Sequence, residues 1–147
     1  MSTRRVVITG LGIVSPVGHT VSSAWESSVS GKAGITRITR FDASNFTSQI
    51  AGEVKDFDPT TVMDKKEVKK ADRFIQLGIK AALEAMIDSG YVTQEDKKVD
   101  ASIADRFGMI SGSGIGGLST IERNSIVCET KGSRKVSPFF IPSSLAN

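Results

Sequence analysis

Ile110-Ser-Gly-Ser-Gly-Ile-Gly-Gly-Leu118 is a glycine-rich turn between two segments of different character. Before it, the apolar run Phe107 to Ile110 suits a strand, and after it Leu118 to Ile126 reads as a helix. Glycines at such a junction let one backbone approach another closely. Gly112-x-Gly114-x-x-Gly117 also satisfies the dinucleotide fingerprint, in which the backbone admits a pyrophosphate at a helix N-terminus. The rest of that unit is missing, since no further strand follows with an acidic residue near its end and Glu129 lies in a polar stretch. The earlier turn Gly10-Leu-Gly12-Ile-Val-Ser15 lacks the third glycine of the pattern as well. A packing turn and a nucleotide cradle therefore both stay open, the packing turn being the simpler.

Upstream, Val6 to Thr9 is a β-branched run ended by Gly10, as expected of a strand buried on both faces of a parallel sheet. Gly10 to Gly18 is then a loop. A short helix is predicted over Val21 to Ser28, stopped by Gly31, with Trp25 as a core anchor. Residues 35–60 are polar, with a possible strand at Gln49 to Val54 and a turn at Asp58-Pro59. Asp64 and Glu67 have the spacing of a capping box. Helical periodicity continues from there through Phe74, Ile75, Ile79, Ala82, Leu83, Met86 and Ile87 to Gly90. Residues 91–105 read as a surface connection. Alternating strands and helices predict an α/β fold with a largely parallel sheet, with no internal repeat, low-complexity linker or domain boundary.

The composition is that of a globular chain: 147 residues, 39% hydrophobic and 24% charged. Lys and Arg number 19 against 16 Asp and Glu, a slight basic excess that favours acidic partners without being a nucleic-acid signature. The single cysteine, Cys128, excludes an internal disulfide framework and suits a reducing cytoplasm. Arg4 and Arg5 precede an apolar run, but Gly10, Gly12, Pro16 and Gly18 break it, so it is read as mature protein rather than as a signal peptide. No stretch reaches the roughly 20 unbroken apolar residues of a membrane span.

The glycine turn occurs together with Arg5-Val-Val-Ile-Thr-Gly-Leu-Gly12, Ser15-Pro-Val-Gly18, Trp25, Gly34-Ile35, Phe41-Asp42, Ala51-Gly-Glu-Val54, Phe57-Asp58, Asp72-Arg-Phe74 and Ser137-Pro-Phe-Phe-Ile-Pro-Ser143. In this order, over nearly the whole chain, these pieces resemble the condensing enzymes of fatty-acid synthesis, the beta-ketoacyl-acyl-carrier-protein synthases. Ala33 stands where a serine is common in that family. The resemblance implies a thiolase-like fold of α-β-α-β-α layers, of which this chain would form part of the N-terminal half. It also implies a homodimer and a decarboxylating Claisen condensation that needs no metal or nucleotide cofactor. The family's nucleophile is a cysteine in a Thr-Ala-Cys-x-Ser-like turn beyond the Ser-Pro-Phe-Phe segment, and its two histidines come later still. The expectation is therefore a chain that stops before the nucleophile, has no catalytic residue of its own and is inactive alone. Cys128 and His19 match neither the nucleophile nor the histidines.

By family position, Ile115 and Phe140 resemble residues that line the acyl tunnel, with Ile141 and Leu145 reaching the tunnel of the partner subunit. The plain alternative is core or dimer packing. Lys65, Lys66, Lys69, Lys70 and Arg73 share a stripe if one helix runs from Asp64, and a basic stripe seeks an acidic surface. Lys66, Lys69 and Lys70, with Arg134 and Lys135, match positions where the family meets its acidic acyl-carrier protein. The alternatives are a solvated face or a non-catalytic remnant that only binds the carrier or dimerises. Uncovered apolar residues around Phe139, Phe140 and Ile141, beside an unpaired sheet edge, are a further expectation.

Overall fold

A computed structural model describes residues 4–145. Two compact units are formed. One holds the residues up to Asp58 together with Lys80–Val99, and the other holds Pro59–Ile79 together with the residues from Asp100 onward.

In the first unit, helix α1 spans Val21–Val29, close to its predicted extent. Its start is fixed by Thr20, whose side chain accepts from the Ser23 amide while the Ser23 hydroxyl accepts from the Thr20 amide, a reciprocal capping box. Gly31, with φ 71°, follows its end. The face that α1 buries is centred on Ala24, whereas Trp25 is 70% exposed, so the core-anchor expectation is corrected. Strands β1 (Ile35–Arg37) and β2 (Ile50–Gly52) pair antiparallel with Ile35 opposite Gly52, and the Ile38 amide extends the ladder to the Gln49 carbonyl. The Glu53 carboxylate closes the loop between them by accepting from the amides of Thr39 and Arg40 and from the Thr39 hydroxyl. These bonds favour its ionised form and lower its pKa, the Thr39 side chain contributing most.

The start of the loop, Gly10 to Ile13, lies along the later turns of helix α3 (Arg73–Asp88). Asp88 Oδ2 accepts from the Leu11 amide at 2.9 Å. Glu84 uses both oxygens, accepting from the Ile13 amide at 3.0 Å and the Val21 amide at 2.8 Å. Carboxylates on α3 thereby satisfy two loop amides that have no ladder to join and the first amide of α1.

In the second unit, a 3-10 turn at Pro59–Thr61 leads to α2 (Lys65–Val68), the start of α3, α4 (Leu118–Lys131), a 3-10 turn at Ser133–Lys135 and α5 (Phe140–Ser144). The single helix expected from Asp64 to Gly90 is broken. Asp64 precedes α2 but makes no side-chain cap, and Glu67 pairs instead with Lys70 Nζ at 2.9 Å. The break is held by Gln76, whose amide nitrogen donates to the carbonyls of Val68 and Ala71 that a continuous helix would have satisfied internally. It is also held by Asp72, whose carboxylate accepts from the Arg73 amide at the start of α3. The predicted apolar face of α3 is otherwise as expected, with Phe74, Ile75, Ile79, Leu83, Met86 and Ile87 half-buried and Ala82 exposed.

Val6 to Thr9 and Phe107 to Ile110 are not strands. Both are coil, with Val6 at 94% and Ile110 at 102% exposure. A strand exists only where a neighbour completes its ladder, and no described segment pairs with either. The expected parallel sheet is accordingly absent among the described residues, whose one sheet is β1-β2. Among the described residues the buried apolar ones are small, Ala24, Ala43 and Val92, and no large side chain is fully enclosed. Phe139 and Ile141 are exposed and Phe140 half-buried, which is the uncovered apolar surface expected there, and the second unit has no strand among the described residues to supply the expected edge.

Candidate carrier-docking and acyl-chain surfaces

The second unit is tied together around Asp72. Its Oδ2 accepts from the Thr120 amide at 3.1 Å and the Thr120 hydroxyl at 2.5 Å, its Oδ1 accepts from the Arg73 amide, and its own amide donates to the Ser143 carbonyl at 3.3 Å. One residue thus joins the start of α3 and the first turn of α4 through its carboxylate and the end of α5 through its amide. The glycine turn closes the same junction. The Gly117 amide donates to the Ser144 carbonyl at 3.0 Å, and a Cβ on Gly117 would stand 2.8 Å from Asp72 Oδ2 and 2.9 Å from Ser144 Cα. Gly116 has φ 75°, and a Cβ there would meet the Ser144 carbonyl oxygen at 2.6 Å. Gly112 and Gly114 face open space, so two of the four glycines carry the close approach.

This geometry uses the start of α4. The Gly117 and Thr120 amides, which would face a bound pyrophosphate, are already engaged by the Ser144 carbonyl and the Asp72 carboxylate. Asn124, a buried residue on α4, adds a second tie. Its amide nitrogen donates to the Thr120 carbonyl at 2.8 Å, and its oxygen accepts from the Ser137 amide at 3.1 Å.

The residues singled out from the sequence are distributed around this junction. Ile115 immediately precedes Gly116 and is 72% exposed. Phe140 and Ile141 lie on α5, and Leu145 at its end is half exposed. Lys66 lies on α2 and Lys69 and Lys70 just after it, all exposed, while Arg134 and Lys135 occupy the 3-10 turn after α4. The stripe is corrected by the helix break: Arg73 begins α3 and does not continue a single helical row from Lys65. Lys66, Lys69, Arg134 and Lys135 have no carboxylate partner among the described residues. Lys70 is shared between Glu67 and the Phe139 ring, whose centroid lies 5.7 Å from Nζ, so it touches the aromatic-proline segment directly.

Cys128 is a free, exposed cysteine on α4. His19 is half-buried edge-on to Phe57, ring centroids 6.1 Å apart. No group of three or more His, Cys, Asp or Glu could hold a metal ion among the described residues, and no described helix is long and apolar enough to cross a membrane. Sequence reasoning missed Thr120 and Asn124, and Asp72 entered it only inside a matching motif. An aspartate immediately before an amphipathic helix was the available signal for a cap there.

The family model of the beta-ketoacyl synthase N-terminal domain matches residues 3–147. The chain is 49% identical over its whole length to 3-oxoacyl-[acyl-carrier-protein] synthase 2 of Coxiella burnetii and 50% identical to that of Vibrio harveyi. It spans 34% of the length of each of these curated relatives. Among solved structures, the ishigamide ketosynthase/chain length factor matches with TM-score 0.75 at 26% identity over 99% of this chain and 35% of that one. A type II polyketide acyl-carrier protein in complex with its ketosynthase matches with TM-score 0.71 at 21% identity, covering 95% of this chain and 34% of that one, a likeness of fold. The described residues thus form part of the thiolase-like ketosynthase fold, and the chain belongs to the beta-ketoacyl synthase family, whose N-terminal domain it matches.

Proposed function

We propose that these residues are the N-terminal part of a cytoplasmic, homodimeric 3-oxoacyl-[acyl-carrier-protein] synthase II that elongates fatty acyl chains. The observation that carries this reading is the identity of about half of all positions to synthase 2 relatives, maintained over the full 147 residues. The reaction has two steps. A cysteine thiolate attacks the acyl thioester of acyl-carrier protein and expels the carrier thiol. Malonyl-carrier protein then loses carbon dioxide, and the resulting enolate carbon attacks the acyl-enzyme, releasing the cysteine and leaving 3-oxoacyl-carrier protein. The proposal places the thiolate, the histidines and the oxyanion donors in polypeptide beyond these residues, so this chain alone is inactive.

The residues present supply recognition. Lys66, Lys69, Lys70, Arg134 and Lys135 offer an exposed basic surface to the acidic carrier. Ile115, Phe140, Ile141 and Leu145 offer apolar walls to the acyl chain or to the partner subunit, covered in the complete dimer though exposed or half-buried here. The proposed condensation calls on no metal or nucleotide.

Ile115→Phe in the complete enzyme tests the reading. Each methylene of an acyl chain gains about 0.8 kcal/mol on burial, and a phenyl ring in the tunnel removes room for several. The expected result is a product distribution cut at shorter chains, read by mass spectrometry of the carrier-bound products, with the elongation of short primers retained. An unchanged distribution would return Ile115 to plain packing.

A further inference from the structure

We propose that Asp72 is a positioning residue for acyl-chain selection, fixing Ile115 and the Phe140–Leu145 segment as one wall; this rests on the function proposed above. Ile115 leads directly into Gly116-Gly117, and Phe140, Ile141 and Leu145 belong to or follow α5. These two segments meet at Asp72. Its amide bonds Ser143, its Oδ2 bonds Thr120, and that same oxygen lies where a Gly117 side chain would begin. The buried Ser143 and Ser144 supply the carbonyls for Asp72 and Gly117, so the end of α5 moves only if both bonds break.

The site calls for a carboxylate. Arg73 and Thr120 present two amides and a hydroxyl to its oxygens, all able to donate. An asparagine accepts through one oxygen only and turns an N–H toward one of those donors, which sets donor against donor. A glutamate keeps both acceptors but is longer by a methylene, which displaces α4 from α5. Positional errors of an ångström in a supporting group are enough to alter how a bound chain is held. Asn124 repeats the coupling from the other side, linking Thr120 to Ser137.

The test compares Asp72→Asn, Thr120→Val and Thr120→Ser in the complete enzyme, using a short and a long acyl-carrier primer. Asp72→Asn should change the ratio of kcat/KM between the two primers about 10-fold, Thr120→Val should change it in the same direction, and Thr120→Ser, which keeps the hydroxyl, should restore it. A purely structural role would lower Tm and depress both primers alike, leaving the ratio constant, and that result overturns the proposal. Hydrogen exchange gives a readout independent of turnover: Asp72→Asn should raise exchange at the Gly117 and Thr120 amides about 10-fold. If the wild-type complete enzyme elongates neither primer, the proposed function fails. The clamp is then decided by exchange alone, with faster exchange at Gly117 supporting it and unchanged exchange refuting it.

Discussion

Gly12→Val in the complete enzyme is expected to cost about 3–5 kcal/mol of stability, enough to remove most soluble protein. The reason is a backbone contact. A Cβ at Gly12 would collide with the Ala81 carbonyl of α3 and stand 2.8 Å from the Ala85 nitrogen. Helix backbone cannot yield without breaking its own ladder, so the loop must move outward. Moving it strains two charge-assisted bonds at once: Leu11 to Asp88 and Ile13 to Glu84. Hydrogen bonds to charged groups are each worth about 1.5–3 kcal/mol, discounted here because the loop is partly exposed. Gly112→Ala is the control, since nothing lies within 4 Å of a Cβ there, and it should shift stability by less than about 0.5 kcal/mol. Chemical denaturation of the three proteins side by side checks both values. Equal losses in the two variants would mean that Gly12 does not pack as described.

Reversing the charge of Lys66, Lys69 and Lys70 to glutamate should weaken binding of acyl-carrier protein about 100-fold at low salt, with the gap narrowing as salt rises. Each single rim pair is worth at most about 1 kcal/mol, but reversal converts three attractions into repulsions against an acidic partner. Lys66 and Lys69 have no carboxylate partner among the described residues, so their charge is available to a partner without first breaking a bond. Lys70 must leave Glu67 and the Phe139 ring, and its share should be smaller. Reversal of Lys97 and Lys98, exposed in a loop of the other unit, is the control and should leave affinity unchanged. KM for the carrier substrate should rise with kcat little altered, because the loss lies in uniform binding. Equal affinity for all variants would make these lysines a solvated face.

The helices were the legible part of this sequence, because their periodicity and ends are local. Thr20 and Ser23 cap α1 from four residues of sequence, and the apolar face of α3 follows from spacing alone. The break at residues 69–72 was not legible. It depends on Thr120 and Ser143, which are distant in sequence, and on Gln76 turning back to the carbonyls it satisfies. Val6 to Thr9 and Phe107 to Ile110 show the converse: β-branched and apolar runs name strands, yet strand formation needs neighbours that the described residues do not provide. Trp25 fails as a core anchor for a similar reason, since α1 has only its Ala24 face enclosed. Family motifs located the glycine turn and the Ser137–Ser143 segment, but the aspartate that joins them became visible only in three dimensions.

The central claim is that these residues serve a condensing enzyme whose nucleophile lies outside them. The most direct measurement incubates acyl-carrier protein and malonyl-carrier protein with the complete enzyme and, separately, with the 147-residue chain, and reads carrier-bound products by intact mass. The expected result is a 3-oxoacyl product two carbons longer than the primer with the complete enzyme, and neither product nor covalent acylation with the 147-residue chain. Elongation by the 147-residue chain, or none by the complete enzyme, would contradict the account.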